Sequence, residues 1–244
     1  MDDKIYNKYK TELDALKKYV NNDYIYNLFY NYGFTINNKF IQLDSNINIY
    51  EACFISQLIN IYIDKYKKKS KLNILEIGFA YGTSTLIILN QILNYKNTSY
   101  DIIDLNQTKQ WNNIGVQNVE YFFKYMKKKI NYNLYEESSL IAIKKLKKKY
   151  DISFIDGSHE RDIVISDIIN SDKKLIINGL IIIDDVLHKD VKLAILDFVK
   201  EYKNYRRISI KNNDYVEKKI LYDKKQEKKS FYNPKTMFCF QKIF

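Results

Sequence analysis

The spacing of apolar positions changes along the chain, and each change marks an element. Residues 3–32 carry Leu, Ile, Tyr and Phe at helical spacing and predict two short helices, with Gly33 as a stop. Residues 34–47 read as irregular and polar. Residues 48–66 are apolar at helical spacing again and predict a third helix. The period then shortens. Residues 72–77, 99–105, 130–135 and 150–156 predict strands, with helices over 83–93, 108–114, 118–129, 140–149 and 162–169 between and after them. Residues 180–184 follow the turn at Asn178-Gly179 as a fifth strand, 191–202 form an amphipathic helix, and 206–211 and 236–242 predict two closing strands. Strands 150–156 and 180–184 are apolar until their last residues, as expected of central parallel strands covered on both faces. Strands alternating with helices imply an α/β fold.

The stretch LNILEIGFAYGTSTLIIL, residues 72–89, joins the first predicted strand to its helix through Gly78 and Gly82. Glycines here allow positive φ and let a ligand approach the backbone. Glu76 ends the strand two residues before Gly78, so its carboxylate is expected to point at whatever the turn cradles. Thr83 and Ser84 open the helix, with N–H groups and hydroxyls expected to face the same space. The spacing Glu76-x-Gly78-x-x-x-Gly82 departs from the dinucleotide fingerprint. A carboxylate ahead of the turn would repel phosphate, so an uncharged or cationic ligand end suits it better.

This stretch resembles motif I of the class I S-adenosylmethionine-dependent methyltransferases. The resemblance implies a Rossmann-like, seven-stranded, mostly parallel sheet with helices on both faces. Residues 1–47 would form an N-terminal helical cap beside it, and 48–244 one compact domain with a charged insertion at about 212–235. Asp104 ends the second strand, where a carboxylate can accept both hydroxyls of a ribose. Ser138 and Ser139 follow the third strand, either as a plain helix N-cap or in contact with an adenine edge.

Composition adds little to this reading. The net charge is +11, with 40 Lys+Arg against 29 Asp+Glu. That admits a nucleic acid partner. However, abundant Lys, Asn, Ile and Tyr beside one Pro and six Gly is the signature of AT-rich coding, and the lysines fall in short runs near helix ends. Cys53 and Cys239 give no metal or disulfide spacing. With no apolar run of transmembrane length and a charged start, the chain is expected to be cytoplasmic and free of membranes.

A second constellation sits on the later strands. Asp156 ends one, and Asp184 and Asp185 end the next. Neighbouring strands about 4.8 Å apart would bring these carboxylates to one edge. Like charges that close call for protons or a cation. Three carboxylates with room for water suit Mg²⁺. The chain's two histidines are placed in parallel: His159 is three residues after Asp156, and His188 three after Asp185. His159 is the candidate base for a hydroxyl proton.

FIDGSHERDIVISDI followed by LIINGLIIIDDV is similar to the metal-dependent O-methyltransferases of the macrocin and catechol kinds, as is IIDLNQTKQW at the second strand. The likeness implies Glu76, Gly78, Gly82, Asp104 and Ser139 at the cofactor and Asp156, Asp184 and Asp185 at the metal. Asp185 stands where the catechol-type enzymes carry Asn. The implied activity is methyl transfer to a hydroxyl of a small molecule, a sugar or catechol-like diol. The alternatives are a nucleic acid methyltransferase and a non-catalytic cofactor-binding subunit. Against the first, Asp156-Gly157-Ser158-His159 contains no proline, whereas methylation of base amino groups usually needs a loop with two. Oligomeric state is left open.

Overall fold

The computed structural model describes residues 3–36, 38–43, 47–66, 71–95, 97–218 and 234–244. In chain order the elements are α1 (Asp3–Tyr19), α2 (Asp23–Asn31), β1 (Gly33–Ile36), β2 (Lys39–Gln42), α3 (Ile49–Tyr66), β3 (Leu72–Ile77), α4 (Thr83–Ile92), β4 (Thr98–Ile103) and α5 (Ile114–Met126). There follow β5 (Tyr132–Tyr135), α6 (Ser139–Lys145), β6 (Tyr150–Ile155), α7 (Arg161–Lys174), β7 (Leu175–Ile183), α8 (Lys189–Glu201), β8 (Tyr205–Lys211), β9 (Asp214–Lys218) and β10 (Phe238–Lys242).

Eight strands form one sheet in the order β5-β4-β3-β6-β7-β10-β8-β9. The first five are parallel, and β10, β8 and β9 are antiparallel. Strands β3, β4, β6 and β7 bury side chains on both faces, so two apolar cores form. One lies under α1 to α5 and includes Leu58, Ile74, Leu86, Phe122 and Phe154. The other lies under α6 to α8 and includes Leu75, Ile143, Ile168, Ile181 and Phe198. The α/β class and the flanking helices agree with the sequence reading.

Several details differ from it. The sheet has an eighth strand, β9, which pairs with β8 across Asn212 and Asn213, both in the left-handed region that a tight hairpin requires. The rest of the expected charged insertion, 219–233, lies outside the described residues. β1 and β2 pair antiparallel, Gly33–Ile36 with Lys39–Gln42, where irregular chain was expected over 34–47. Residues 105–113 are a run of turns, with no helix over 108–114. Asn178-Gly179 is a bulge inside β7: between Tyr150↔Leu175 and Ile152↔Leu180 the register slips, and Asn178 takes φ 64°. Among the described residues, no helix is long and apolar enough to cross a membrane.

One buried acid ties the parallel strands laterally. Asp101 on β4 accepts from Tyr150 Oη at 2.6 Å, Lys148 Nζ at 2.7 Å and Asn133 Nδ2 at 2.7 Å, reaching across β3 to β6 and back to β5. Removing it leaves the buried Tyr150 hydroxyl without this acceptor, while Asn133 and Lys148 can turn to water. Asp101→Ala is expected to lower stability by about 1–3 kcal/mol in chemical denaturation, the range for one buried polar group left unpaired.

Candidate active site

The carboxyl ends of the parallel strands run in step. Ile77 pairs with Ile103 on one side and with Ile155 on the other, and Ile155 pairs with Ile183. The residues just past them are therefore held in a row. Gly78 N donates to Ile103 O at 2.8 Å, Asp156 N to Ile77 O at 2.8 Å, and Asp184 N to Ile155 O at 3.0 Å. The strand order reverses between β3 and β6, where α/β sheets open a ligand crevice. A cavity of about 420 Å³ opens there, within the usual span of about 300–1,000 Å³ for small-molecule sites.

Gly78, with φ 92°, forms the crevice floor. A Cβ there would meet the Asp156 carbonyl oxygen at 2.0 Å, so only glycine lets the two strand ends come together. Asp104 braces the same turn. Its Oδ2 accepts the N–H groups of Phe79 and Ala80 at 2.9 and 2.8 Å, and its Oδ1 accepts Asn106 N at 2.8 Å. Asp104, Ser138 and Ser139 all line the cavity. Ser138 is the N-cap residue of α6, without a side-chain cap bond, so both readings of it stand. Gly82 has a different job. With φ 76° it precedes α4 and packs against Gly115 at the start of α5, where a Cβ would meet the Gly115 carbonyl oxygen at 3.2 Å.

Glu76 is not where the sequence reading put it. Its side chain is fully buried beneath the turn, and it lines neither the main cavity nor its neighbour. Ser84 Oγ donates to Oε1 at 2.6 Å, Thr85 Oγ1 donates to Oε2 at 2.7 Å, and Tyr100 Oη donates to Oε2. The Ser84 hydroxyl is thus spent on Glu76. Burial pushes the Glu76 carboxyl up to about 7, although the three hydroxyls pull the other way. Strand alternation explains the position: neighbouring side chains on a strand point to opposite faces, and Glu76 faces α4, away from the crevice mouth.

A second cavity of about 170 Å³ adjoins the first and shares Gly78, Ala80, Trp111, Asp156 and Gly157 with it. On its wall Asp156, His159 and Asp185 each offer one ligand atom, all within 4.8 Å of one another. His159 Nε2 lies 2.8 Å from Asp185 Oδ2, and the His159 and His188 rings are 5.1 Å apart. Two carboxylates and an imidazole at this spacing are a donor set for a divalent ion. The expected partner Asp184 is not in this group. It is buried, and its Oδ1 accepts the N–H of Asp185 at 2.8 Å. The left-handed turn at Asp185, φ 53°, separates the two side chains. Burial and the nearby acids hold both Asp156 and Asp184 well above the usual carboxylate range; Asp185 is the strongest charge on Asp156, and Asp156 the strongest on Asp184.

Three features of the site were missed from sequence, Asp167, the Tyr81–Trp111 pair and Glu51, whereas Thr83 was expected to face it. Asp167 on α7 lines the main cavity beside Ser139, and its carboxyl is raised to about 6 by burial. Tyr81 and Trp111 meet edge-on at 5.2 Å on the wall of the smaller cavity. Thr83 lines that cavity with its hydroxyl buried and without a hydrogen-bond partner. Glu51 on α3 acts electrostatically on both Asp156 and Asp184. Asn48-x-x-Glu51 is a capping-box pattern and could have signalled the helix start. Nothing local says that this end faces the acids, because the neighbours are more than a hundred residues away.

Two outcomes follow from this geometry. Gly78→Ala forces both the positive φ and the Asp156 contact, and is expected to cost at least about 1–3 kcal/mol in denaturation, with loss of cofactor binding. Glu76 has a raised folded value, so its stabilising contribution is complete below about 4.5 and vanishes as pH climbs to about 7. Denaturation at pH 5 and pH 8 should show wild type losing more stability than Glu76→Gln over that interval, by up to about 3 kcal/mol.

Residues 75–186 match a family model described as a methyltransferase domain. No curated protein matches the chain by sequence. Among solved structures, the O-methyltransferase NovP superposes with a TM-score of 0.60 at 9% identity, covering 82% of each chain. An O-methyltransferase from Bacillus cereus in complex with SAH gives 0.54 at 14% identity, covering 83% of this chain and 84% of its own. An rRNA methylase from Streptococcus thermophilus gives 0.51 at 11% identity, covering 78% of this chain and 97% of its own. At these identities the likeness is one of fold, and the fold serves more than one kind of acceptor. The matched region spans the Gly78 turn, Asp104, and both Asp156 and Asp185; over it the chain is similar to a methyltransferase domain, and in fold it is similar to O-methyltransferases.

Proposed function

We propose that the protein methylates a hydroxyl of a small molecule carrying a vicinal diol, sugar or catechol-like, with help from a divalent cation, Mg²⁺ being the simplest choice. The observation that supports this most is the Asp156, His159 and Asp185 group on a cavity adjoining the Asp104 crevice. A cofactor in the larger space and an acceptor in the smaller would meet at the shared wall.

When bound, S-adenosylmethionine supplies an electrophilic methyl, and the cation lowers the pKa of the acceptor hydroxyl. The chain's residues do the rest. Asp104 retains one lone pair, on Oδ1, for a ribose hydroxyl, Gly78 admits the ligand to the backbone, and Ser138 and Ser139 would face the adenine end. Asp156 and Asp185 would hold the cation. A neutral His159 that donates from Nε2 to Asp185 keeps Nδ1 as the acceptor for the hydroxyl proton. Ile47, Tyr81 and Trp111 wall the acceptor side with apolar surface that limits water. A cytoplasmic setting suits Cys53 and Cys239, both buried free thiols.

A second reading, nucleic acid methylation, draws on the net charge of +11 and on the shared fold of an rRNA methylase. RNA binding that weakens steeply with salt would favour it. The small, histidine-lined acceptor space favours the first reading.

Asp156→Ala is expected to abolish Mg²⁺-dependent transfer to catechol or sugar acceptors while S-adenosylmethionine still binds by calorimetry. Activity that persists in EDTA would refute cation assistance. His159→Ala should lower kcat by about 10²–10⁴-fold with cofactor affinity retained, the range for losing a general base.

A further inference from the structure

Asp167 sits in the middle of α7, and only 1% of it is exposed. It lines the larger cavity with Ser138, Ser139 and Ile163, and none of these four lines the smaller one. Its Oδ1 is buried and, among the described residues, has no hydrogen-bond partner. Burial raises its carboxyl to about 6, and Ser139 is the one neighbour that draws it down. The group is therefore chiefly ionised at about pH 7.5.

Other buried acids of this fold are settled by donors of the chain. Asp101 takes a tyrosine, a lysine and an asparagine, Glu76 takes three hydroxyls, and Asp172 takes Tyr205 and Lys242. Asp167 has a cavity in front of it instead. A buried acceptor left unpaired is costly, and in a cavity wall that cost is recovered when a ligand brings the missing donor.

An ionised carboxylate can only accept. The ligand group it meets must therefore carry hydrogen, as an amino group does and a carbonyl or bare ring nitrogen does not. Position narrows the choice. The methyl to be transferred belongs at the wall that the two cavities share, beside Asp156 and Trp111. The end of the cofactor that reaches Ser138, Ser139 and Asp167 is then the base, and the hydrogen-bearing group on the edge of adenine is its exocyclic amino group.

We propose that Asp167, through Oδ1, accepts a hydrogen bond from the exocyclic amino group of adenine and so sets the base specificity of the cofactor site. The inference rests on the cofactor placement above. A purine with an oxo group there would turn a carbonyl oxygen toward the carboxylate.

The test is calorimetric titration of the full chain, at about pH 7.5, with S-adenosylhomocysteine and with its analogue carrying hydrogen in place of the amino group. Wild type is expected to bind S-adenosylhomocysteine about 10–100-fold more tightly than the analogue, the factor that a hydrogen bond to a charged group supplies. Asp167→Leu removes the acceptor and should bind the two ligands alike. Asp167→Asn keeps the shape and an acceptor but loses the charge, and its preference should fall below about 10-fold. Without ligand, Asp167→Asn should unfold at the same temperature as wild type or higher, because an unpartnered buried charge does not support the fold. A clear drop would assign the carboxylate a structural partner and overturn the proposal. Wild type that binds both ligands alike would overturn it while leaving the cofactor site intact, as would an Asp167→Leu protein with the full wild-type preference. If Asp167→Leu does not fold, the full preference kept in Asp167→Asn decides against the proposal. Wild type that binds neither ligand would overturn the cofactor reading, and this proposal with it.

Discussion

Everything at the site depends on strand register. Four isoleucines, Ile77, Ile103, Ile155 and Ile183, stand level across four parallel strands. Ile103, Ile77 and Ile155 each offer a carbonyl to the residue that follows the neighbouring strand. A slip of one residue in any strand would reverse its side chains and scatter the row. Gly78 makes the alignment possible at its narrowest point, since any side chain there would strike the Asp156 carbonyl. The crevice is therefore a consequence of hydrogen-bond pairing first and of side-chain chemistry second.

The same row concentrates negative charge in a poorly solvated place. Glu76, Asp156 and Asp184 are all held above the ordinary carboxylate range, chiefly by burial. A protein selected for stability alone would not gather acids this way, and perturbed acids of this kind cluster at functional sites. The molecule treats them unequally. Glu76 receives three hydroxyl donors and becomes part of the scaffold under the turn. Asp104 is spent on the backbone of that turn, yet still faces the cavity. Asp156 and Asp185 open onto the smaller cavity beside His159.

Tyrosine is abundant in this chain, with 23 residues, and the fold uses its hydroxyl to settle buried acids. Tyr62 donates to Asp151, Tyr100 to Glu76, Tyr150 to Asp101 and Tyr205 to Asp172. Each ring fills core volume while its tip supplies one of the hydrogen bonds that a buried carboxylate needs. A tyrosine-rich composition is in this way compatible with a polar network under the site.

Periodicity and punctuation in the sequence were enough to determine the α/β class, the five parallel strands and the turn at Gly78, because these follow from local alternation and from residues with restricted backbone choices. They also placed Asp104, Asp156 and Asp185 at strand ends, since the end of an apolar run is visible in one dimension. The direction a side chain takes after a strand ends depends on partners distant in sequence. For that reason Glu76 faced inward to Ser84, Thr85 and Tyr100, Asp184 turned away while His159 joined the acids, and Glu51 arrived from a helix far upstream. The bulge at Asn178, the β1–β2 hairpin and β9 were likewise decided by pairing across the fold. Local propensity chooses the elements; only the packed sheet, by fixing register and burial together, chooses which carboxylates meet.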